Sequence, residues 1–195
     1  MKILGLTGSI GMGKSAVTAM FRRAGVPVFD ADAAVHVLQG PDGALLPAIE
    51  ARFPGTTGPH GVDRQKLGAH VLGNTHELAA LEAIVHPAVA KAQHRFLMRH
   101  RARDVVILDI PLLFETGADA GLDATLVVTA PPDVQRARVL ARPGMTEAHF
   151  QAILSRQMPD ADKRARATYV IETVGLEETR NSVRQLLERV TKPDA

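Results

Sequence analysis

The 195-residue chain contains no cysteine. That excludes disulfides and thiolate metal sites, and it fits a reducing, cytoplasmic compartment. Aromatic residues make up only 4% of the chain, with no tryptophan. A base-stacking platform for single-stranded nucleic acid is therefore not expected. Neither sign of charge dominates: 23 Lys and Arg stand against 21 Asp and Glu, a formal net charge of +2. This balance gives no case for a nucleic-acid partner. No apolar stretch approaches the ~20 residues a membrane span needs. Met1-Lys2 runs at once into an apolar strand pattern, so no signal peptide is expected. The eight histidines show no metal-ligand spacing. There is no N-K-x-D for reading guanine, no internal repeat and no linker composition.

What is present is an apolar content of 46%, enough for one compact α/β domain with inserted subdomains. Near its start, Gly8 to Ser15 read Gly-Ser-Ile-Gly-Met-Gly-Lys-Ser, a complete G-x-x-x-x-G-K-[ST] phosphate loop. The run Ile3-Leu4-Gly5-Leu6 reads as the strand before it, and Ala16 to Phe21 as the helix after it. Glycines let backbone N–H groups turn inward as an anion nest, which the helix N-terminus reinforces. Gly8, Gly11, Met12, Gly13, Lys14, Ser15 and Ala16 are thus the expected ATP-binding positions. Lys14 is suited to the β- and γ-phosphates, and the Ser15 hydroxyl to Mg²⁺.

Five strand-like runs follow the chain: 2–7, 26–30, 105–109, 124–129 and, more weakly, 169–171. Helical patterns separate them, at 14–24 (stopped by Gly25) and, with an amphipathic face, at 176–190. Strands alternating with helices predict a parallel, doubly wound five-stranded sheet flanked by helices. Residues 33–103 show helical apolar spacing without a clear strand and read as a helical insertion. The core then comprises 1–32, 104–141 and 167–195, with 142–166 as a lid.

Asp109 ends a buried strand pattern at the edge where open α/β sheets bind ligands. It suits Mg²⁺ held partly through water, or else caps a turn. Asp30 and Asp32 follow the second strand. A kinase acting on a hydroxyl needs a carboxylate to orient it and take its proton; alternatively both cap the next helix. Residues 134–140 read as helical, which puts Arg138 and Arg142, spaced i, i+4, on one face, and Pro143-Gly144 then breaks the helix. Arginines beside a hinge suit a lid that spreads transition-state charge; surface arginines with local acidic partners are the other reading. The basic runs 95–103 and 163–166 read as solvated helix faces or as an anion-binding surface. His86-Pro87 reads as a helix-start junction.

Taken together these residues resemble the dephospho-CoA kinase family over nearly the whole chain. The resemblance runs through Leu6–Ser15, Asp30-Ala31-Asp32, His86-Pro87, Asp109-Ile110-Pro111-Leu112-Leu113-Phe114-Glu115, Arg138, Arg142, Gln157 and Ala167–Ile171. It implies ATP-dependent phosphorylation of the ribose 3′-hydroxyl of dephospho-CoA, with Mg²⁺ as cofactor. It implies Asp32 as the base, Lys14 and Arg138 as further catalytic groups, Arg142 on ATP, and Asp32, His86 and Pro111 on the acceptor. ATP and dephospho-CoA are the implied partners of a monomer or weak homo-oligomer. The family's Ala-Asp-x-Val-Ile-x-Asn has Thr168 and Thr173 here at the Asp and Asn, which leaves backbone groups to hold the adenine. Competing functions are another small-molecule phosphate-loop kinase, of nucleoside monophosphate or shikimate type, and a non-catalytic nucleotide switch.

Overall fold

The computed structural model describes residues 1–191. In chain order it opens with β1 (Lys2–Thr7), α1 (Lys14–Arg23), β2 (Val28–Asp30), α2 (Ala31–Gln39) and α3 (Leu46–Arg52). Then come β3 (Thr57–Gly58), β4 (Gly61–Val62), α4 (Arg64–Val71), α5 (Thr75–Arg99), β5 (Val105–Asp109) and β6 (Ala124–Thr129). The chain closes with α6 (Pro132–Leu140), α7 (Glu147–Leu154), α8 (Asp160–Arg166), β7 (Tyr169–Glu172) and α9 (Leu176–Thr191). It divides into two compact units. One is Met1–Phe29 with the chain from His100 onward; the other is Asp30–Arg99.

The first unit carries the parallel sheet, in the order β2-β5-β1-β6-β7. Its strands are β-branched, apolar runs because helices cover both faces. Every residue of β5 is buried. Side chains alternate across the sheet with period two. Leu4, Leu6, Val105, Ile107, Leu126 and Val128 pack with Val17 and Phe21 of α1 and Val183 and Leu186 of α9. Val127 packs instead with Leu113 and Phe114. Full burial of such a side chain is worth roughly 1.5–3 kcal/mol. Strand β2 is shorter than the sequence pattern predicts. The Val26 N–H is used to close α1 on the Phe21 carbonyl, and pairing to β5 begins at Pro27, whose carbonyl accepts from Ile107.

The second unit is mainly helical, with its own core of Leu38, Leu45, Ile49, Phe53, Leu67 and Val71. Helix α5 lays Ala80, Leu81, Ile84, Val85, Ala88 and Val89 against that core. This apolar seam runs unbroken past Pro87, which lies inside the helix. The expectation that His86-Pro87 starts a helix is therefore overturned. Packing of the seam offsets the ~3 kcal/mol a mid-helix proline costs. The unit also holds a short antiparallel hairpin, Thr57 opposite Val62, where no strand was expected. Two-residue strands are too short to show a period. A carboxylate organises them: Glu50 accepts from Gly55 N–H, Thr57 N–H and the Thr57 hydroxyl.

Asp30 is the N-cap of α2, and its carboxylate accepts from the Ala33 N–H at 2.9 Å. Asp32 stands exposed in the first turn. Asp30→Ala should therefore lower stability by about 1 kcal/mol, Asp30→Asn should not, and Asp32→Ala should cost less than Asp30→Ala. Denaturant midpoints of the three variants check this.

Candidate active site

The phosphate loop leaves β1 at Thr7 and enters α1 at Lys14. Gly11 and Gly13 have φ of +80° and +87°, a backbone region that strains other residues. Neighbours also press on the loop. A Cβ on Gly8 would lie 2.6 Å from the Val128 carbonyl oxygen, and one on Gly13 2.7 Å from the Thr173 hydroxyl. The loop is fastened from behind. Met12 is buried, its N–H donates to the Ser9 carbonyl at 3.1 Å, and its thioether accepts from the Ala130 N–H at 3.0 Å. The Thr173 hydroxyl donates to the Met12 carbonyl at 2.8 Å.

Asp109 ends β5, 3% exposed, in register with Leu6 of β1. One carboxylate oxygen lies 2.5 Å from the Lys14 ammonium; the other accepts from the Thr18 hydroxyl at 2.7 Å. A carboxylate this buried is tolerable only with both oxygens partnered. Ser15 is exposed one residue into α1. The Ser15 hydroxyl and the Asp109 carboxylate are hard oxygen donors. Among the described residues no group of three His or acidic side chains could hold an ion unaided. The donor set therefore fits a Mg²⁺ that keeps water and shares phosphate oxygens, not a closed protein cage.

Arg138 lies on α6 and grips Thr173 with two bonds, to its hydroxyl at 2.9 Å and its carbonyl at 2.5 Å. It is thereby joined through Thr173 to the loop carbonyl of Met12. Arg142 does not share its helical face. Helix α6 ends at Leu140 with Ala141 as C-cap, and Arg142 closes a tighter turn on the Val139 carbonyl. Thr168 pairs reciprocally with Thr125, backbone N–H to hydroxyl in both directions, and so extends the β6–β7 contact. The Pro111 carbonyl accepts from the Thr7 hydroxyl at 2.9 Å. The first unit thus gathers residues 8–16, Asp109, Pro111 and Arg138. Asp32 and His86 belong to the second unit, each exposed on its helix.

One buried charge escaped the sequence reading. Lys163, in the basic run 163–166 that suits a solvated helix face or an anion-binding surface, is instead fully buried, and its ammonium lies 2.8 Å from Glu115. That distance makes an ion pair, though not a directed hydrogen bond. Glu115 also accepts from the Met158 N–H at 2.8 Å. Charge spacing gives no signal for such a long-range pair. The role of Thr18 was more visible, one helical turn past Lys14.

The sequence model of the family described as dephospho-CoA kinase matches residues 2–178. The chain belongs to the dephospho-CoA kinase family. It is 62% identical over 189 residues to a dephospho-CoA kinase of Novosphingobium aromaticivorans, covering 96% of this chain and 94% of that one. A dephospho-CoA kinase of Cereibacter sphaeroides is 55% identical over 187 residues, covering 96% and 94%. Among solved structures, TT1252 from Thermus thermophilus superposes with a TM-score of 0.88 at 35% identity, covering 98% of each chain. The dephospho-CoA kinase of Campylobacter jejuni shares the fold, at a TM-score of 0.67, 21% identity and 98% coverage of both. The chain is therefore a kinase, with the parallel α/β architecture of the phosphate-loop kinases. No helix among the described residues is long and apolar enough to cross a membrane.

Burial pushes the Glu115 carboxyl up, but the Lys163 ammonium and the Met158 N–H outweigh it and hold the group below its usual value of 4.5. Such a carboxylate contributes stability that is present above 4.5 and is lost as pH falls through the lowered native value. Lys163→Met leaves the half-buried Glu115 carboxylate without its cation and should lower stability at neutral pH by up to about 3 kcal/mol, because the carboxylate keeps some contact with solvent. That deficit should shrink in acid, as Glu115 takes up a proton. Thermal melts of the variant and the parent between neutral and acid pH check both the size and the sign.

Proposed function

We propose that the chain transfers the γ-phosphoryl group of ATP to the ribose 3′-hydroxyl of dephospho-CoA, giving coenzyme A and ADP. The observation that carries this reading is the conjunction of the phosphate loop, backed by Lys14 and Asp109, with full-length membership of the dephospho-CoA kinase family. The loop N–H groups and Lys14 bind the β- and γ-phosphates, so Lys14 exchanges its contact with Asp109 for phosphate oxygens. Ser15 and Asp109, the latter partly through water, would hold Mg²⁺, which would neutralise phosphate charge there. Asp32 orients the 3′-hydroxyl and accepts its proton. The 3′-oxygen forms its bond to the γ-phosphorus as the bond from that phosphorus to the β-bridging oxygen breaks, and the electron pair leaves with ADP.

Arg138 and Arg142 supply positive charge around the phosphates and the nucleotide in this reading; of the expected lid 142–166, the part before Gln157 is the one free to close, because Met158, Asp160 and Lys163 are fastened to Thr129 and Glu115. The insertion 33–103 binds the acceptor, with contacts from His86 and Pro111. Asp30, an N-cap by geometry, has no chemical task. The enzyme acts in the cytoplasm as a monomer or weak homo-oligomer.

The purified protein should release ADP from ATP and Mg²⁺ with dephospho-CoA as acceptor, and not with adenylate or shikimate. Activity with adenylate or shikimate alone would overturn the proposal. Lys14→Ala should lose about 10²–10³ in turnover, the usual cost of removing one preorganised donor. Asp32→Asn should lose about 10²–10⁴ while binding ATP normally in calorimetry, and Asp30→Asn should stay near parent activity. Normal turnover in Asp32→Asn with a dead Asp30→Asn would transfer the base to Asp30.

A further inference from the structure

Two consecutive peptides of the phosphate loop, those flanking the Ile10 Cα, are each held by a glutamine amide from outside the loop. Gln135, on α6, is 6% exposed, and its side-chain N–H donates to the Ile10 carbonyl at 2.8 Å. Gln157, half-buried just past α7, accepts from the Ile10 N–H through its side-chain oxygen at 3.1 Å. Gln157 thus holds the Ser9–Ile10 peptide and Gln135 the Ile10–Gly11 peptide, so the two planes on either side of the Ile10 Cα are both fixed immediately before Gly11. The effect on the loop is selective. The N–H groups of Ile10 and Met12 are taken up by protein oxygens, on Gln157 and Ser9. Among the described residues none accepts from the N–H groups of Gly11, Gly13, Lys14 or Ser15. Those are the donors that an αL-containing nest and a helix N-terminus present to an anion.

Gln157 also has a fixed address. Adjacent Met158 donates its N–H to Glu115, the Thr129 hydroxyl donates to Asp160 at 2.8 Å, and buried Lys163 pairs with Glu115. The stretch 157–163 is thus pinned to the end of β6 through Thr129 and to the segment after β5 through Glu115. The α7 segment before it starts after Gly144, at φ +75°. Its ties to α6 include the exposed Arg136–Glu147 pair at 2.8 Å. Gln157 is where this segment meets the loop.

We propose that Gln157 is a positioning residue for nucleotide binding. Its oxygen sets the Ser9–Ile10 peptide, as the Gln135 amide sets the one after it, so that the four unspent N–H groups stay aimed at phosphate. The chemistry it serves is binding of a nucleoside di- or triphosphate, and it touches neither the acceptor nor the reacting atoms. The inference rests on the phosphate-binding reading of the loop given above, which ADP or ATP binding to the parent protein tests separately.

The experiment measures Mg-ADP and Mg-ATP affinity by calorimetry, without acceptor, for Gln157→Met and Gln157→Glu. The methionine keeps the volume and removes the acceptor. An unsatisfied loop N–H should weaken nucleotide affinity about five- to a hundredfold, with KM for ATP raised and KM for the acceptor unchanged. The glutamate keeps the oxygen but adds a charge, so its deficit should shrink towards the parent in ~0.5 M salt, where exposed charges are screened. The methionine deficit, taken against the parent at equal salt, should persist. Parent-like nucleotide affinity in Gln157→Met, or an effect confined to KM for the acceptor, overturns the proposal. If Gln157→Met also melts early, Gln157→Glu decides: recovery in salt supports the role, and a salt-independent loss overturns it.

Discussion

The first unit is organised around a single constraint: the back of the phosphate loop must be packed and hydrogen-bonded while its front stays available to an anion. Backbone that turns N–H groups towards a ligand leaves carbonyls on the other side, and buried carbonyls without partners are costly. Here the Ile10 carbonyl is met by Gln135 and the Met12 carbonyl by Thr173. Thr173 is itself held by Arg138. The glycines follow from the same demand. At Gly8 and Gly13 a Cβ would press on the Val128 carbonyl or on Thr173.

The sheet supplies these contacts. Parallel pairing aligns the carboxyl ends of β1, β5, β6 and β7, so Asp109, Thr129 and Thr173 arrive beside the loop from three different chain segments. The apolar layers on both faces make that edge rigid. Rigidity matters because a nest of amides stabilises charge best when it need not reorganise. The Lys14–Asp109 contact belongs to the same economy of charge. A buried carboxylate, one lysine and one threonine satisfy each other within hydrogen-bond distance of the loop.

Lys163 shows a different use of burial. A lysine with no exposed surface is tolerated because Glu115 lies against it, and together they fix the chain between α7 and β7. Breaking such a pair costs more than its net worth, since the remaining charge is stranded. The contact therefore acts as an all-or-none fastening and not as a graded one. It keeps the residues that precede it, Gln157 and Met158, at set positions.

Much of this was legible in the sequence. The loop motif, the alternation of β-branched runs with helical spacing, and Gly25 as a helix stop are local patterns, and local sterics and periodicity decide them. Asp109 was legible too, because a carboxylate ending a buried run has few places to go. Asp30 and Asp32 could not be told apart by spacing; the capping bond to Ala33 separates them. The tertiary structure alone decided the rest. Pro87 sits mid-helix because a long apolar seam outweighs a local propensity. Lys163 is buried because Glu115, distant in sequence, faces it. Arg142 lies off the helix that carries Arg138, because the chain tightens after Leu140 into a turn closed on the Val139 carbonyl. Thr173, Gln135 and Gln157 reach the loop only once β7, α6 and the end of α7 are packed beside it. Such contacts join residues more than a hundred positions apart, and a single sequence encodes no period or spacing that would reveal them.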